Sequence, residues 1–320
     1  MQPELFHIPP PGALDAKGDQ RPPDLRLVPG TLAQRSAPVP TTSDPLCEKT
    51  YARLAEMLTG HVGIRLPPSK RIMVEGRLRK RVRALGLPSI AEYCRFLFHD
   101  NNLDDEFVHL IDAVTTNKTD FFREPQHFEF LKREIVPSLL ANRRPTGGHF
   151  LKVWSAAASA GAEAYSIAMQ LNDLVNTIGS FRFAILGTDI STEVLTQARR
   201  AVYPEEMIQP IPPDMQMRYL MRPRSSNGRA EVRIVPELRR LCRFVRLNLM
   251  DTQYPFDRDV DVIFLRNVLI YFDKPTQESV IARLVSHLRP GGFLLLGHSE
   301  SMIGTNLQLR QVAPAVFQHL

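Results

Sequence analysis

A strand-like apolar run that ends in a polar pair is the feature that most constrains the fold of this chain. Within residues 259–273, DVDVIFLRNVLIYFD, a mostly apolar run ends abruptly at Arg266 and Asn267. A run of this length and composition is typical of a buried strand in a parallel sheet. Sheets of that kind bind their ligands at the carboxyl ends of the strands. The polar pair therefore marks a predicted ligand site.

Strand-like and helical segments alternate after Gly148. The predicted strands are 150–155, 181–188, 243–248, 261–265 and 292–297, and the predicted helices lie near 163–176, 192–200 and 275–289. Such alternation predicts an α/β fold with a doubly wound, mostly parallel sheet. Residues 203–241 break the alternation with the turn-rich PRSSNGRA and the alternating EVRIV. We expect a small hairpin there, inserted into the domain as a β-subdomain.

The first part of the chain has a different character. Residues 1–45 hold ten of the 26 prolines, which predicts a disordered tail. Apolar residues then repeat at helical spacing, first over 46–115 and again from Phe128 to Leu139. The segment RRPTGG before residue 149 is typical of a hinge. We predict a small helical domain over 46–140 and a ligand-binding domain over 141–320, with the insertion at about 203–241.

Positive charge is concentrated in the predicted helical domain. The chain has a net charge of +6, and residues 65–83 contain a single acid, Glu75. The basic residues of that stretch are Arg65, Lys70, Arg71, Arg77, Arg79, Lys80, Arg81 and Arg83. This excess favours an acidic partner, although a solvated helix face gives the same pattern. DNA, RNA, an anionic membrane surface and an acidic protein helix are all compatible with it.

Several classes of protein are disfavoured by the sequence. Cys47, Cys94 and Cys242 are widely spaced and odd in number, which argues against a disulfide framework and a zinc site. No apolar stretch reaches the roughly 20 residues that span a bilayer, and the N-terminus lacks the pattern of a signal peptide. We expect a cytoplasmic protein with no bound metal.

Small or polar residues follow four of the predicted strands. The loop SAAASAGAEAYS contains one glycine, Gly161, so it is neither GxGxxG nor GxxxxGK[ST], but its small side chains let a ligand approach a helix N-terminus. Asp189 ends the second strand and can accept both ribose hydroxyls of an adenosine, or it can cap a helix. Asn248 follows the third strand. An adenosine site without a pyrophosphate loop suggests S-adenosylmethionine.

Six segments together make this reading specific. They are TTNKTDFFREPQHF, VWSAAASAGAEAYSIAM, TDIS, LNLMD, FLRNVLIYFDK and GGFLLLGHSE. In order and spacing they resemble the motifs of the CheR family, the chemotaxis receptor methyltransferases, over about residues 46–319. The resemblance implies the class I S-adenosylmethionine-dependent methyltransferase fold, with an N-terminal helical domain and a β-subdomain. It implies transfer of a methyl group from S-adenosylmethionine to glutamate carboxylates of chemoreceptors, with S-adenosylhomocysteine as product.

The same resemblance assigns roles to individual residues. The implied cofactor contacts are Asn117, Thr119, Arg123, Glu163, Asp189, Asn248, Leu249, Arg266 and Asn267. Arg123 and Tyr271 are implied to lie closest to the transferred methyl group. The implied docking residues for receptor helices are Arg77, Arg79, Lys80, Arg81 and Arg83. One departure is the acidic pair and proline usual after the loop glycine, here Ala162, Glu163 and Ala164; we expect Glu163 to preserve cofactor binding.

The expected partners are the cytoplasmic helices of chemoreceptors, which would recruit the protein to membrane-bound receptor arrays without direct insertion in the membrane. In some members of the family the β-subdomain binds a receptor C-terminal pentapeptide by strand addition, and the long loop PRSSNGRA favours this here. A nucleic-acid methyltransferase is a second reading, but the [DNS]PP[YF] motif of base methylation is replaced by RNVLIYF. A third is a degenerate sensor or scaffold that binds S-adenosylmethionine without transferring its methyl group.

Overall fold

The computed structural model describes residues 45–99, 102–115, 117–141, 149–179, 181–222, 230–300 and 307–320. The predicted tail up to residue 44, the predicted hinge RRPTGG at 143–148 and most of the PRSSNGRA loop lie outside the described residues. The chain divides into two compact units. Among the described residues, the helical unit comprises 45–56 and 66–114, and the α/β unit comprises 57–65 and the residues from 115 onward.

The helical unit confirms the predicted helical character of its sequence. Its helices are α1 (Glu48–Val62), whose last six residues belong to the α/β unit, α2 (Arg71–Ala84), α3 (Ile90–Phe98) and α4 (Leu103–Val114). Leu78, Tyr93 and Leu110 are fully buried. Ser89 caps α3 by accepting a hydrogen bond from the Glu92 amide at 3.0 Å, which satisfies one of the orphan amides of the first turn.

The α/β unit contains a seven-stranded sheet and a three-stranded sheet. The strands are β1 (His149–Ala156), β2 (Phe181–Asp189), β3 (Val202–Pro204), β4 (Leu220–Met221), β5 (Glu231–Ile234), β6 (Cys242–Arg246), β7 (Val260–Leu265), β8 (Leu288–Leu296), β9 (Leu309–Ala313) and β10 (Val316–His319). The large sheet has the order β6-β2-β1-β7-β8-β10-β9. Its first five strands are parallel, and β10 is antiparallel to both neighbours. The predicted mostly parallel sheet is confirmed.

The chain winds outward from β1 in both directions, through β2 and β6 on one side and through β7 and β8 on the other. A crevice opens at such a reversal, at the carboxyl ends of the strands, and it is where α/β sheets bind ligands. Every residue of β7 is buried, as expected for a central parallel strand.

The helices of the α/β unit are α5 (Pro125–Phe130), α6 (Val136–Ala141), α7 (Ala162–Ile178), α8 (Thr192–Arg200), α9 (Pro213–Tyr219), α10 (Pro236–Leu241) and α11 (Lys274–Val285). A π-helical stretch, Leu131–Ile135, joins α5 to α6. Phe128 and Leu131 belong to the same hydrophobic core as Leu151 of β1 and Ile167 of α7. This helix therefore packs with the sheet, although the sequence analysis placed it in the helical domain; the domain boundary near residue 140 stays a prediction.

The insertion differs from the predicted hairpin. Strand β5 has β3 on one side and β4 on the other, both antiparallel, so the insertion is a three-stranded sheet interrupted by short helices. The alternation of EVRI is visible in sequence, whereas β3 and β4 have three and two residues and are too short to show a pattern.

The sequence analysis also missed β9 and β10. Most of β9 is exposed because it is an edge strand, so its sequence lacks the apolar signal of the central strands. Strand β8 begins at Leu288 rather than at the predicted 292, and α11 correspondingly ends at Val285. None of the helices in the described ranges is both long and apolar enough to span a bilayer.

Candidate functional site

The predicted strand-end residues meet at one edge of the sheet because the parallel strands are in register. Ala156, the last residue of β1, pairs with Thr188 of β2 and with Leu265 of β7. Asp189 pairs with Arg246, the last residue of β6. The loops that follow these strands therefore start at the same level, as the sequence analysis predicted.

Backbone strain is concentrated in the loops of this edge. Among the described residues, the non-glycine residues with positive φ are Phe122, Glu124, Ala157, Ser159, Ala201, Asn267 and Ala315. Five of them lie at this edge: Phe122 and Glu124 before α5, Ala157 and Ser159 between β1 and α7, and Asn267 after β7. Such conformations cost about 1–3 kcal/mol each and cluster at ligand sites, where the surrounding structure holds them in place. The predicted site at this edge therefore coincides with most of the strained positions among the described residues.

The loop between β1 and α7 contains small residues because the space around it and its backbone conformation leave no room for larger side chains. Gly161 has a φ of 87° at the start of α7, and a Cβ there would meet the Cβ of Ala198 at 2.9 Å. Glycine is thus needed for packing of the helix start as much as for access to a ligand. The predicted ligand-approach loop is present, and its glycine has a structural reason.

Asp189 fixes the same loop from the end of β2. Its carboxylate accepts hydrogen bonds from the amides of Ser159 at 2.8 Å and Ser191 at 3.0 Å. The Ser159 hydroxyl donates to the carbonyl of Asn117 at 2.8 Å. Two predicted cofactor residues, Asn117 and Asp189, are therefore connected through Ser159. A carboxylate is the type of acceptor that ribose hydroxyls need, and the cofactor contact of Asp189 stays a prediction.

Arg266 lies buried between two carboxylates and a backbone carbonyl. Its Nη1 donates to Oε2 of Glu163 at 3.0 Å, and its Nη2 lies 3.0 Å from Oε2 of Glu124 and donates to the carbonyl of Arg123. Glu163 also accepts from the Ser155 hydroxyl at 2.7 Å. Arg266 thereby joins the Arg123 segment to the first turn of α7. The cofactor contact implied for Arg266 stays a prediction, because its guanidinium already bonds to protein groups.

Glu300 is a site residue that the sequence analysis did not single out. Its buried carboxylate accepts hydrogen bonds from the amides of Gly297 at 2.7 Å, Leu269 at 2.8 Å and Asn267 at 3.0 Å. The side chain of Asn267 lies 3.3 Å from Oε1 of Glu124. Burial raises the pKa of Glu300, against the effect of these backbone amides. We call Glu124, Glu163, Arg266, Asn267 and Glu300 the carboxyl-edge network.

The remaining predicted residues lie outside this network. The Asn248 side chain donates to the His61 carbonyl at 2.8 Å and accepts from the Met250 amide at 3.0 Å. Leu249 is buried and its carbonyl accepts from Tyr254 and Arg283. Tyr271 is half-buried in a short 3₁₀ turn, and its carbonyl accepts from the Arg65 amide at 2.9 Å. Thr119 is half-buried as well, and its role stays a prediction.

The five predicted docking residues of α2 differ in environment. Arg81 makes two hydrogen bonds of 2.7 Å to the buried Glu106, and Arg77 donates to the Val114 carbonyl at 2.7 Å. Arg79 pairs with Glu75 at 2.6 Å. Lys80 and Arg83 are exposed. Arg81 and Arg77 thus hold the helical unit together, while Lys80 and Arg83 project most of their charge into solvent.

A further cluster at this edge was missed because its members are far apart in sequence. Glu124, His127 and His298 bring together potential metal-ligand atoms within 4.8 Å of one another. Burial, with the charge of Arg266 nearby, lowers the pKa of His127 to about 4, so its ring is neutral at pH 7. Burial alone would raise the pKa of Glu124, but Arg266 and Asn267 bring it below its ordinary value. The ExxH spacing of 124–127 was the available signal.

Comparison with known proteins decides the family. Residues 117–317 match the family model described as CheR methyltransferase, SAM binding domain, and residues 49–115 match CheR methyltransferase, all-alpha domain. This chain belongs to the CheR methyltransferase family. It is an S-adenosylmethionine-dependent methyltransferase with the class I fold, and the CheR resemblance of the six motifs is confirmed.

Relatives match over most of the chain. The chemotaxis protein methyltransferase of Borreliella burgdorferi is 35% identical over 83% of this chain and 93% of its own length. Chemotaxis protein methyltransferase 2 of Pseudomonas aeruginosa is 39% identical over 83% of this chain and 91% of its own length. The chemotaxis protein methyltransferase of Escherichia coli is 40% identical over 80% of this chain and 85% of its own length. Among solved structures, the DszA carbon methyltransferase covers 78% of this chain and 59% of its own at 15% identity, with a TM-score of 0.35. That likeness is too low to support an argument.

Proposed function

We propose that this CheR family member transfers a methyl group from S-adenosylmethionine to side-chain carboxylates of glutamates in chemoreceptors, forming methyl esters for sensory adaptation. The observation that supports this most is the placement of Arg123. Its neighbours Phe122 and Glu124 both have left-handed backbone conformations, with φ of 48° and 55°, and its carbonyl is held by Arg266. A backbone held this tightly is expected where a side chain must meet a reacting group.

The residues of the carboxyl edge fit an adenosine-containing sulfonium. Asp189 supplies the acceptor for ribose hydroxyls, and Glu163 supplies a carboxylate for a cationic methionyl amine. Ala162 and Ala164, which replace the usual acid and proline, are fully buried in the hydrophobic core. Their side chains pack with the protein, so we infer that this departure leaves the Glu163 contact intact. The implied contacts of Asn117, Thr119, Asn248, Leu249 and Asn267 belong to the same proposal.

The chemistry places few demands on the protein. When bound, the cofactor supplies an electrophilic methyl group. A glutamate of pKa about 4.3 is already an anion at neutral pH, so it needs no general base to become a nucleophile. Arg123 would orient the carboxylate through paired N–H donors, and Tyr271 would hydrogen-bond beside the reacting atoms. The displacement itself requires no metal.

Docking of the receptor helix is assigned to the exposed face of α2. Ile72, Gly76, Lys80 and Arg83 follow one another at helical spacing, and all four are exposed. We call this set the basic face. Ile72 offers an apolar contact, and Lys80 and Arg83 offer two exposed positive charges. This combination suits a receptor helix rich in Glu and Gln, and the charges would speed its association. Tethering through the β-subdomain by a receptor pentapeptide, and recruitment to receptor arrays, are finer parts of the proposal.

The test uses tritiated-methyl S-adenosylmethionine with chemoreceptor-containing membranes, followed by mild alkali and a count of volatile methanol. The wild-type protein should give alkali-labile label. Arg123→Ala should reduce it by about 10²–10³-fold, the range seen when a transition-state donor is removed. The control is Arg133→Ala, because the Arg133 side chain is 75% exposed and pairs with the exposed Glu129. Calorimetry with the cofactor should give similar affinities for the control and the wild type.

Other outcomes identify the competing functions. Cofactor binding without methyl esters, over several receptors, would overturn the proposal in favour of a sensor or scaffold. Alkali-stable label in nucleic acid would indicate a nucleic-acid methyltransferase. Equal methanol release from Arg123→Ala and Arg133→Ala would remove Arg123 from the reaction.

A further inference from the structure

Two histidines and a glutamate form a compact set of metal-ligand atoms beside the carboxyl-edge network. Nδ1 of His127 lies 3.4 Å from Oε2 of Glu124, and Nε2 of His298 lies 3.9 Å from the same oxygen. The two imidazole rings are 4.8 Å apart between centroids and nearly perpendicular. Ligands about 2.0–2.2 Å from one zinc ion are separated by roughly 3.3–3.5 Å. The three ligand atoms here lie within 4.8 Å of one another, so ion binding requires the His298 ring to move closer to the other two ligands.

Unpaired buried polar atoms coincide with this set. Within the described residues, neither ring nitrogen of His127 has a hydrogen-bond partner of good geometry, whereas Oε2 of Glu124 is paired with Nη2 of Arg266 at 3.0 Å. The His127 side chain is 2% exposed. A buried polar group without a partner is unfavourable, and an ion is one of the ordinary reasons for finding it in a native protein.

The donors determine which ion fits. Two imidazoles and one carboxylate are a ligand set used by zinc, and three protein ligands leave a fourth position for water. The His298 side chain is 44% exposed, which gives an ion a route to the cluster. Magnesium and calcium prefer sites made of oxygen ligands alone.

We propose that Glu124, His127 and His298 bind a divalent transition-metal ion of the zinc class. Arg266, 3.0 Å from Glu124, is then the outer partner that orients the ligating carboxylate, a common arrangement around metal ligands. Glu124 and His127 are held at fixed separation because they are three residues apart at the start of α5. His298 comes from the segment after β8 and closes the set.

Metal binding is measured directly and needs no methyl transfer, so its outcome is independent of the proposed reaction. The full-length protein, without a histidine tag, is stripped with a chelator, dialysed and titrated calorimetrically with Zn²⁺. Co²⁺ is added separately, because tetrahedral Co²⁺ absorbs visible light strongly. The test variant is His298→Ala, since its exposed side chain can be removed without opening the core. The control is His109→Ala, an exposed histidine on α4.

We expect one Zn²⁺ per chain, tetrahedral Co²⁺ bands, and no response to Mg²⁺. His298→Ala should weaken Zn²⁺ binding by more than about tenfold, because one of three ligands is lost. His109→Ala should leave it unchanged. Glu124→Gln gives a second test that keeps the side-chain volume. Failure to bind Zn²⁺ at one per chain, or equal affinities for His298→Ala and His109→Ala, would overturn the proposal.

Discussion

Arginines at the carboxyl edge of the sheet and on helix α2 carry the same charge in opposite environments. Arg266 is buried and contacts Glu124, Glu163 and a backbone carbonyl. Arg83 is exposed and donates a long hydrogen bond of 3.3 Å to the Arg79 carbonyl of its own helix. A buried charge is tolerated only when it is matched by several partners, which also fixes their positions. An exposed charge fixes little but acts at a distance.

This difference in environment separates the basic residues that stabilise the fold from those that are available to bind a partner. Sequence position alone does not make this distinction, because Arg81 and Arg83 are two residues apart on α2. Arg81 holds the buried Glu106 by two hydrogen bonds, which the Tyr93 hydroxyl supplements at 3.0 Å. Arg83 faces solvent. The following predictions test the contrast.

The largest effect is expected for Arg266→Ala. It leaves Glu124 and Glu163 partly buried without their cation, and breaking a buried ion pair in this way costs about 3–5 kcal/mol. The free energy of unfolding should be measured in urea beside Arg133→Ala, whose exposed ion pair contributes at most about 1 kcal/mol. Equal losses in the two variants would show that Arg266 is not a structural centre of the network.

A smaller effect, on binding, is expected for Asp189→Ala. The variant removes the carboxylate that orders the Ser159 amide and would hold the ribose. Hydrogen bonds to a charged group contribute about 1.5–3 kcal/mol, so calorimetric affinity for S-adenosylmethionine should fall roughly 10- to 150-fold. Asp214→Ala, an exposed acid of α9, is the control. An unchanged dissociation constant for Asp189→Ala would exclude this residue from the site.

The third prediction separates Arg81 from Arg83 on the same helix. Arg81→Ala leaves the buried Glu106 without its cation and should destabilise the protein by about 2 kcal/mol. Arg83→Ala should change stability by no more than about 0.5 kcal/mol, as surface substitutions usually do. Both are measured by urea unfolding. If Arg83→Ala proved as destabilising as Arg81→Ala, the division of α2 into scaffold and recognition residues would be wrong.

The smallest effect concerns the basic face. Lys80→Gln combined with Arg83→Gln should slow receptor methylation a few-fold at low salt, because two unshielded charges no longer steer the substrate. The difference should shrink as ionic strength rises, since exposed charges are screened over about 8–10 Å at ordinary salt. Initial rates at several salt concentrations give the measurement. A deficit that persists undiminished at high salt would contradict steering.

Much of the site was predictable because parallel strands place their carboxyl ends together. Asp189, Asn248 and Arg266 could be picked out as polar residues after apolar runs. Glu300 and His298 could not be picked out in this way. Two of the three amides that Glu300 binds are more than 30 positions away, and His127 is more than 150 positions from His298. The three-stranded form of the insertion was hidden for another reason, since β4 has only two residues.

By itself, the sequence determined the alternating α/β pattern, the helical segment before it, and the motifs that identify the family, because these depend on local periodicity and on residue order. Only the tertiary structure decided how the polar groups are paired. It assigned Arg266 to Glu124, Glu163 and the Arg123 carbonyl, Glu300 to three backbone amides, and Arg81 to Glu106. The physical reason is that a buried polar group without a hydrogen-bond or charge partner is unfavourable. The partner is the group that lies nearby in space, and order along the chain does not specify which group that is.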